Sequence, residues 1–215
     1  VRIGTWEAFA HDAEVVSYFR WRQAPYAQEQ MHAGLMQCDN SPAMGSKEAL
    51  QVSKEIQEIK LPPTQKADIA LLHDYEACWM TEIDGQTQDF HYTRLMLDFY
   101  KSIRINGGSL DIVGKNTDFT GYKLIIIPSF VHLDEEIFSR ITLSGAKILA
   151  GPRTGVKTNG FQIPHNLSLE GLGFKVTRVD ALPQELPIEV EWKGIKGHIN
   201  VWREQGQCSG TSDGK

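Results

Sequence analysis

The chain has 215 residues, of which 41% are hydrophobic and 23% are charged, and this composition is that of an ordinary globular protein with a core of its own. Its formal net charge of -5 comes from 22 basic and 27 acidic residues mixed along the chain, so no basic patch predicts a nucleic acid or an anionic membrane as a partner. The longest strongly apolar run, around residues 124–127, is too short to span a bilayer.

The three cysteines, Cys38, Cys78 and Cys208, are widely and irregularly spaced. This spacing fits neither a zinc motif nor a disulfide framework, and reduced thiols in a cytoplasmic protein are the expected state. The chain opens with Val1 and goes directly into helix-like sequence. We interpret this opening as the cut edge of a longer protein.

Residues 1–45 hold a short helix pattern, an apolar strand pattern over Glu14–Phe19, and a polar and aromatic segment that ends in the loop-like CDNSPAMGS. One strand with one or two helices cannot bury its own faces, because a sheet needs neighbouring strands. We therefore predict that residues 1–45 are the end of a larger domain.

From residue 46 onward the sequence alternates between helix and strand patterns. Ser46 is predicted to cap a helix over residues 47–59. The further predicted elements are strand 68–73, helix 90–104, strand 110–113, strand 122–128, helix 134–143, strand 147–151 and strand 174–179. This alternation with short turns predicts an α/β fold, with a doubly wound, mainly parallel, flavodoxin-like sheet between two helical layers. Residues 188–192 and 198–202 flank KGIKG and predict a terminal antiparallel hairpin within 187–203.

The segment Ser17–Leu35, SYFRWRQAPYAQEQMHAGL, is rich in groups that suit a hydroxylated ligand. Its arginines are donor forks, its aromatic rings are flat apolar faces, and Gln28, Glu29 and His32 can bind hydroxyl groups. Glu29 and His32 are three residues apart, so on one helical turn they would point the same way. From spacing alone this pair fits a solvated helix face better than a sugar site or half of a metal site.

The wider segment VVSYFRWRQAPYAQEQMHAGL resembles the end of the catalytic barrel in the β-galactosidases of glycoside hydrolase family 42. The resemblance implies that residues 1–45 are the remnant of a (β/α)8 barrel, with its eighth strand and the loop and helix that follow. It implies that Glu29 and His32 hold the galactose ring in the full-length parent. Arg20, Trp21 and Arg22 are interpreted as packing and supporting residues of the barrel end.

DIALLHDYEACWMTEID, DFTGYKLIIIPSFVHLDEE, GPRTG and FQIP resemble the middle domain of the same bacterial family, which is known for assembling trimers. The resemblance implies that residues 46–215 form a trimerisation domain with a class I glutamine amidotransferase-like fold. The implied partners are two further copies of the chain, with a galactoside as substrate only in the full-length parent. The last thirty or so residues match poorly.

A retaining glycosidase needs two carboxylic residues about 5 Å apart. In the resembled family both are on earlier barrel strands, so we predict that this fragment has no catalytic residue, no cofactor and no hydrolase activity. Glu7 and Glu14 are interpreted as surface residues. An amidotransferase would need a cysteine on a strand-to-helix elbow, but Arg153 stands at that position in GPRTG. Cys78 has acidic neighbours that raise a thiol pKa, and it is interpreted as structural.

His73, Asp74, Tyr75 and Glu76 suggest a metal cluster, but we expect neighbouring residues at a strand end not to converge, and no metal site is predicted. Tyr75 and Trp79, four residues apart, predict an aromatic face on a helix, and an interface role and ordinary core packing are equally open. The alternative function is a free-standing flavodoxin-like domain that binds a small ligand around Asp74, Ser129 and Arg153. Such a domain would have no need of residues 14–35, and this segment discriminates between the two hypotheses.

Overall fold

The structure is a computed structural model that describes residues 1–27, 29–83, 85, 87, 89–164, 168–169, 173–183 and 185–208. The chain divides into two compact units, residues 1–65 and 66–215. In the described part of the chain, no helix has the length and apolar character that crossing a membrane requires.

The first unit contains two helices, α1 (Arg2–Ala10) and α2 (Met44–Glu58). Glu55 of α2 joins them, because its carboxylate accepts hydrogen bonds from Arg2 Nε at 2.9 Å and from Trp6 Nε1 at 2.8 Å. α2 therefore belongs to the first unit, whereas the sequence pattern assigned it to the second domain.

Two sequence predictions for this unit are wrong. Residues 14–19 form no strand, because none of the described residues supplies a neighbouring strand for them. The bridges nearby instead join Met36 to Arg22 and to Pro42. α2 begins at Met44 after Ala43, which makes no side-chain cap bond, so Ser46 lies inside the first helical turn and is not the cap.

The core of the second unit is a parallel sheet of four strands in the order β2-β1-β3-β4. The strands are β1 (Ile69–Leu72), β2 (Leu110–Val113), β3 (Leu124–Ile127) and β4 (Lys147–Ala150). β1 and β3 are the central strands, and their continuous apolar runs are buried as the sequence predicted. The order, in which β1 is flanked by β2 and β3, confirms the doubly wound prediction.

Three helices accompany this sheet, α3 (Tyr75–Ile83), α4 (Tyr92–Ile105) and α5 (Glu135–Leu143). The Asp134 side chain caps α5 by accepting the Ile137 N–H at 2.8 Å. The predicted helices at 90–104 and 134–143 are therefore confirmed to within two residues of their ends.

The remaining strands are antiparallel and lie outside the parallel sheet. β5 (Ser168–Leu169), β6 (Phe174–Ala181) and β9 (Trp202–Cys208) form one sheet, and β7 (Ile188–Trp192) and β8 (Ile195–Ile199) form a hairpin. The prediction that the strand at 174–179 continues the parallel sheet is wrong. A parallel connection needs a crossover, usually a helix, and the described residues between β4 and β6 contain none.

The hairpin is also tighter than predicted. Its turn is Lys193-Gly194, both with positive φ, at 49° and 80°. Such a two-residue turn matches the twist of the flanking strands. Trp202, predicted to lie in the hairpin, instead begins β9.

Candidate functional site

Glu29 and His32 lie on one exposed turn of the first unit, where the His32 N–H donates to the Glu29 carbonyl oxygen at 3.2 Å. This turn is not part of a helix. The Glu29 carboxylate accepts a hydrogen bond from the Arg20 guanidinium, whose side chain is only 19% exposed. The structure therefore places the Glu29 carboxylate in an ion pair with the Arg20 guanidinium, whereas His32 is exposed at the surface.

An open hollow of about 690 Å³ lies beside this turn. It is lined by Arg20, Arg22, Gln23, Ala24, Pro25, Tyr26, Ala27 and Glu29. Guanidinium groups, a carboxylate and a flat ring are the groups with which a protein binds a polyol. Gln28, the other sugar-binding candidate, lies outside the described residues.

The same segment presents a band of large apolar side chains to solvent. Phe19 is 75% exposed, Trp21 70%, Tyr26 75% and Met31 93%. Trp21 therefore does not pack in a core of this chain, and its role as a packing residue of the barrel end stays a prediction for the full-length parent. An apolar band next to a polar hollow is typical of a surface that contacts further protein.

In the second unit, polar side chains gather where the central strands end. Asp74 follows β1 and caps α3, since its Oδ2 accepts the Ala77 N–H at 2.8 Å. Its own N–H donates to the Tyr92 hydroxyl oxygen at 3.1 Å. Burial raises the pKa of Tyr92 to about 12, so this hydroxyl group stays neutral.

Glu76 and His132 lie next to Asp74. Glu76 accepts a hydrogen bond from Lys115 at 2.5 Å, and this bond lowers the pKa of the Glu76 carboxyl group. His132 Nε2 is 3.3 Å from Glu76 Oε2 and 3.6 Å from Asp74 Oδ2. The expectation that the strand-end residues do not converge is therefore wrong for Asp74 and Glu76. The chain turns into α3 after Asp74, and the first helical turn brings Glu76 back to the same side.

Tyr75 and Trp79 form the predicted aromatic pair on α3, with ring centroids 6.2 Å apart. Tyr75 is 67% exposed and Trp79 is 56% exposed, so the alternative that either ring packs in the core of this chain is wrong. Both rings line an open cleft of about 680 Å³ that also includes Asp74, Glu76 and Lys115. Aromatic side chains exposed to this extent are typical anchors of protein interfaces.

The turn after β4 shares the positive φ of a nucleophile elbow, but no described helix follows it and it lacks the elbow's chemistry. Arg153 has φ of +62°, and its N–H donates to Glu204 Oε1 at 3.0 Å. Burial, followed by the nearby Glu82 carboxylate, raises the pKa of Cys78, so its thiolate is disfavoured. Neither residue is activated for glutaminase chemistry.

The three residues of the alternative ligand site do not share one cavity. Asp74 lines the cleft beside α3, whereas Arg153 lines a separate small cavity with Phe90 and Trp202. Ser129 is buried and lines neither of these two cavities. The geometry therefore does not support the alternative site as predicted.

Two features of the second unit define its class of protein, namely the order of its parallel strands and the arginine at the turn after β4. A doubly wound parallel sheet whose elbow carries an arginine is a flavodoxin-like or glutamine amidotransferase-like module without the amidotransferase nucleophile.

Comparison with known proteins gives the family. Residues 67–212 match the family described as the β-galactosidase trimerisation domain, and residues 1–59 match the family described as β-galactosidase. The chain belongs to the β-galactosidases of glycoside hydrolase family 42.

Individual relatives agree with this assignment. A β-galactosidase of Thermus thermophilus is 44% identical over 210 residues, and the alignment covers 95% of this chain and 32% of that protein. The crystal structure of a β-galactosidase from Marinomonas ef1 has a TM-score of 0.89 at 40% identity, over 96% of this chain and 34% of that one. A β-galactosidase from Halorubrum lacusprofundi has a TM-score of 0.87 at 31% identity, over 96% of this chain and 32% of that one. The chain thus spans about a third of the length of these relatives.

Proposed function

We propose that the chain is the self-association module, with an attached barrel segment, of a β-galactosidase that works as a homotrimer. The whole protein would hydrolyse terminal β-D-galactosides with retention. The observation that carries this proposal is the match of residues 67–212 to the trimerisation domain, on a unit whose fold is also that of solved β-galactosidases.

The surface of α3 supports a role in self-association. Tyr75, Trp79 and Ile83 expose 67%, 56% and 87% of their surfaces. Contact between these largely apolar side chains and water is unfavourable. Burial against a second copy would remove their apolar area from water and lower the free energy. Each copy in a closed ring of three uses one patch against a different patch of the next copy. We therefore assign this α3 surface to one side of the contact between copies.

The first unit supports a sugar subsite of the whole protein. Glu29 and His32 share one turn, and Arg20 holds the Glu29 carboxylate beside an open polar hollow. The exposed band that includes Phe19 and Trp21 would pack against the rest of the barrel. In this proposal Glu29 and His32 bind galactose hydroxyl groups, and the two catalytic carboxylates come from strands that precede residue 1.

The match of residues 1–59 to a β-galactosidase favours this proposal over a free-standing ligand-binding domain, which would have no use for residues 14–35. We also propose a cytoplasmic location. Cys38 and Cys78 are free thiols and Cys38 is exposed, which suits a reducing compartment.

Light scattering of the purified chain over a roughly hundredfold dilution range tests the proposal, because a weak contact that buries under about 1,200 Å² dissociates on dilution. We expect a trimer at high concentration and mainly monomer when dilute, since the barrels that add to the contact in the whole protein are missing. A dimer that persists at every concentration would contradict the assignment.

A further inference from the structure

We propose that Asp74, Glu76 and His132 form a binding site for a divalent metal ion of the zinc class, on the second unit and separate from the sugar subsite. Asp74 and Glu76 line the same cleft as Tyr75 and Trp79, but metal binding is measured independently of the self-association proposed above. It follows from the distances, the burial and the hydrogen bonding of these three side chains.

The three ligand atoms have the spacing that a small ion requires. One ligand atom from each residue lies within 4.8 Å of the other two. His132 Nε2 is 3.3 Å from Glu76 Oε2 and 3.6 Å from Asp74 Oδ2. A tetrahedral zinc ion with bonds of about 2.1 Å separates its ligands by roughly 3.4 Å. The two measured separations therefore bracket the ideal value, and a small adjustment of the exposed Glu76 side chain would complete the set.

His132 gives an independent reason to expect a ligand. The residue is only 5% exposed, and neither of its ring nitrogens makes a hydrogen bond of good geometry to a described residue, although Nε2 lies 3.3 Å from Glu76 Oε2. Burying a polar group without a good hydrogen-bond partner destabilises the folded protein. Its ring stacks on Phe130 with centroids 4.8 Å apart, which directs Nε2 toward the two carboxylates. A metal ion would accept the Nε2 lone pair and remove part of this cost.

Lys115 is the competitor of the ion. Its ammonium group lies 2.5 Å from Glu76 Oε2 and 3.9 Å from Asp74 Oδ1, so it partly neutralises the two carboxylates. The Lys115 side chain is 36% exposed and can swing into solvent when a doubly charged ion arrives. The Lys115 ammonium group and the metal ion therefore compete for the same two carboxylates. Removal of the ammonium group should strengthen metal binding.

The ligand chemistry selects the ion, and the cleft gives it access. One imidazole and two carboxylates suit zinc and its neighbours in the first transition row better than calcium or magnesium, which prefer all-oxygen sites. The open cleft of about 680 Å³ beside α3 includes Asp74 and Glu76 among its lining residues. This access leaves a fourth coordination position for water or for a ligand from solution.

Calorimetric titration with zinc chloride tests the site. The full chain would carry the substitutions Cys38→Ser and Cys208→Ser, because exposed thiols bind zinc on their own. We expect one zinc ion per chain. Glu76→Gln, at an exposed residue that does not support the core, should weaken binding at least about a hundredfold, since loss of a mere supporting residue already costs 10–100-fold. His132→Gln should do the same.

Two further variants make the result decisive. Lys115→Met should tighten zinc binding about tenfold or more, because it removes a positive charge a few ångströms from the ion. His198→Gln, which changes an exposed histidine of the β7–β8 hairpin, should leave the affinity unchanged. Cobalt binding gives a second readout, since a four-coordinate site with nitrogen and oxygen ligands produces visible absorption bands without a thiolate charge-transfer band. Absence of zinc binding, or equal affinity in the parent chain and Glu76→Gln, would overturn the proposal.

Discussion

Asp74 uses its two carboxylate oxygens for different purposes. Oδ2 caps α3 through the Ala77 N–H at 2.8 Å, while Oδ1 lies 3.9 Å from the Lys115 ammonium group. The first interaction satisfies a helix N–H that would otherwise lack a partner, and the second offsets the cost of burying a charge. Because Asp74 is only 6% exposed, both interactions take place largely away from water. This residue therefore links the beginning of α3 to the cluster beside it.

Substitution of the exposed aromatic residues of α3 should affect assembly of the trimer without affecting the folding of the chain. Trp79→Ala or Tyr75→Ala removes an exposed ring, so it creates no core cavity, and the free energy of unfolding should change by no more than about 0.5 kcal/mol. The trimer should weaken, because exposed aromatic side chains are common anchors of interfaces. Light scattering would follow assembly, and urea unfolding monitored by circular dichroism would follow stability.

Trp192→Ala is the matched control for these variants. Trp192 is 53% exposed but lies on the β7–β8 hairpin, away from α3 in the chain. We expect it to leave the concentration dependence of the trimer unchanged. If Trp79→Ala or Tyr75→Ala lowered the unfolding free energy by several kcal/mol, the changed residue would be a packing residue and its interface role would be lost.

At the scale of elements, the contact between α1 and α2 depends on one ionised carboxylate. Hydrogen bonds from Arg2 and then Trp6 lower the pKa of Glu55 from its ordinary 4.5 to about 2. A lowered carboxyl pKa stabilises the folded form fully above the unfolded value, and this contribution is lost as the pH falls through the folded value. The α1–α2 contact should therefore persist well below pH 4.5 and fail near pH 2.

The indole N–H of Trp6 reports this behaviour directly, because it donates to Glu55 at 2.8 Å. In two-dimensional NMR its resonance should stay in place between neutral pH and about pH 3.5. Glu55→Gln should shift that resonance at every pH, whereas Glu58→Gln, an exposed change on the same helix, should not. A titration of the Trp6 resonance with a midpoint near the ordinary 4.5 would show that the ion pair does not exist in solution.

Elements with their own local signals could be predicted from the sequence. The buried strands β1 and β3 read as unbroken apolar runs, and α5 has an aspartate cap followed by acidic residues. The predicted strand at residues 14–19 failed because the sequence shows an apolar pattern but not whether another strand is available to pair with it. The strand β6 was recognised but assigned to the wrong sheet, since strand direction depends on the connection and not on the strand's own residues.

The candidate site shows the same limit. Glu29, His32, Tyr75 and Trp79 stood out by residue type and spacing within short segments. His132 did not, because it lies more than fifty residues beyond Asp74 and only the parallel pairing of β1 with β3 makes the two loops neighbours. The partnership of Arg20 with Glu29 was hidden for a similar reason, since it depends on the path of an irregular loop.

At the scale of the whole molecule, each unit has surfaces that its own residues do not cover. In the first unit these include the band of Phe19, Trp21 and Met31, and in the second the aromatic face of α3. Alignment covers 95% of this chain but only 32% of the Thermus thermophilus relative. The proposed function accounts for both surfaces, since it assigns the first to contact with further barrel strands and the second to contact with other copies.

This division of the whole protein predicts that the chain by itself does not hydrolyse galactosides. Retaining hydrolysis needs an acid/base and a nucleophile about 5 Å apart, and the proposal assigns both carboxylates to strands outside these residues. Glu29 is held by Arg20 on an exposed turn and is assigned to binding sugar hydroxyl groups. The purified chain should release no chromophore from a nitrophenyl β-galactoside above a buffer blank. Glu29→Gln, measured in parallel, should give the same background. Turnover that co-purifies with the chain and disappears in Glu29→Gln would show that a catalytic carboxylate is present, and it would contradict the proposed division of labour.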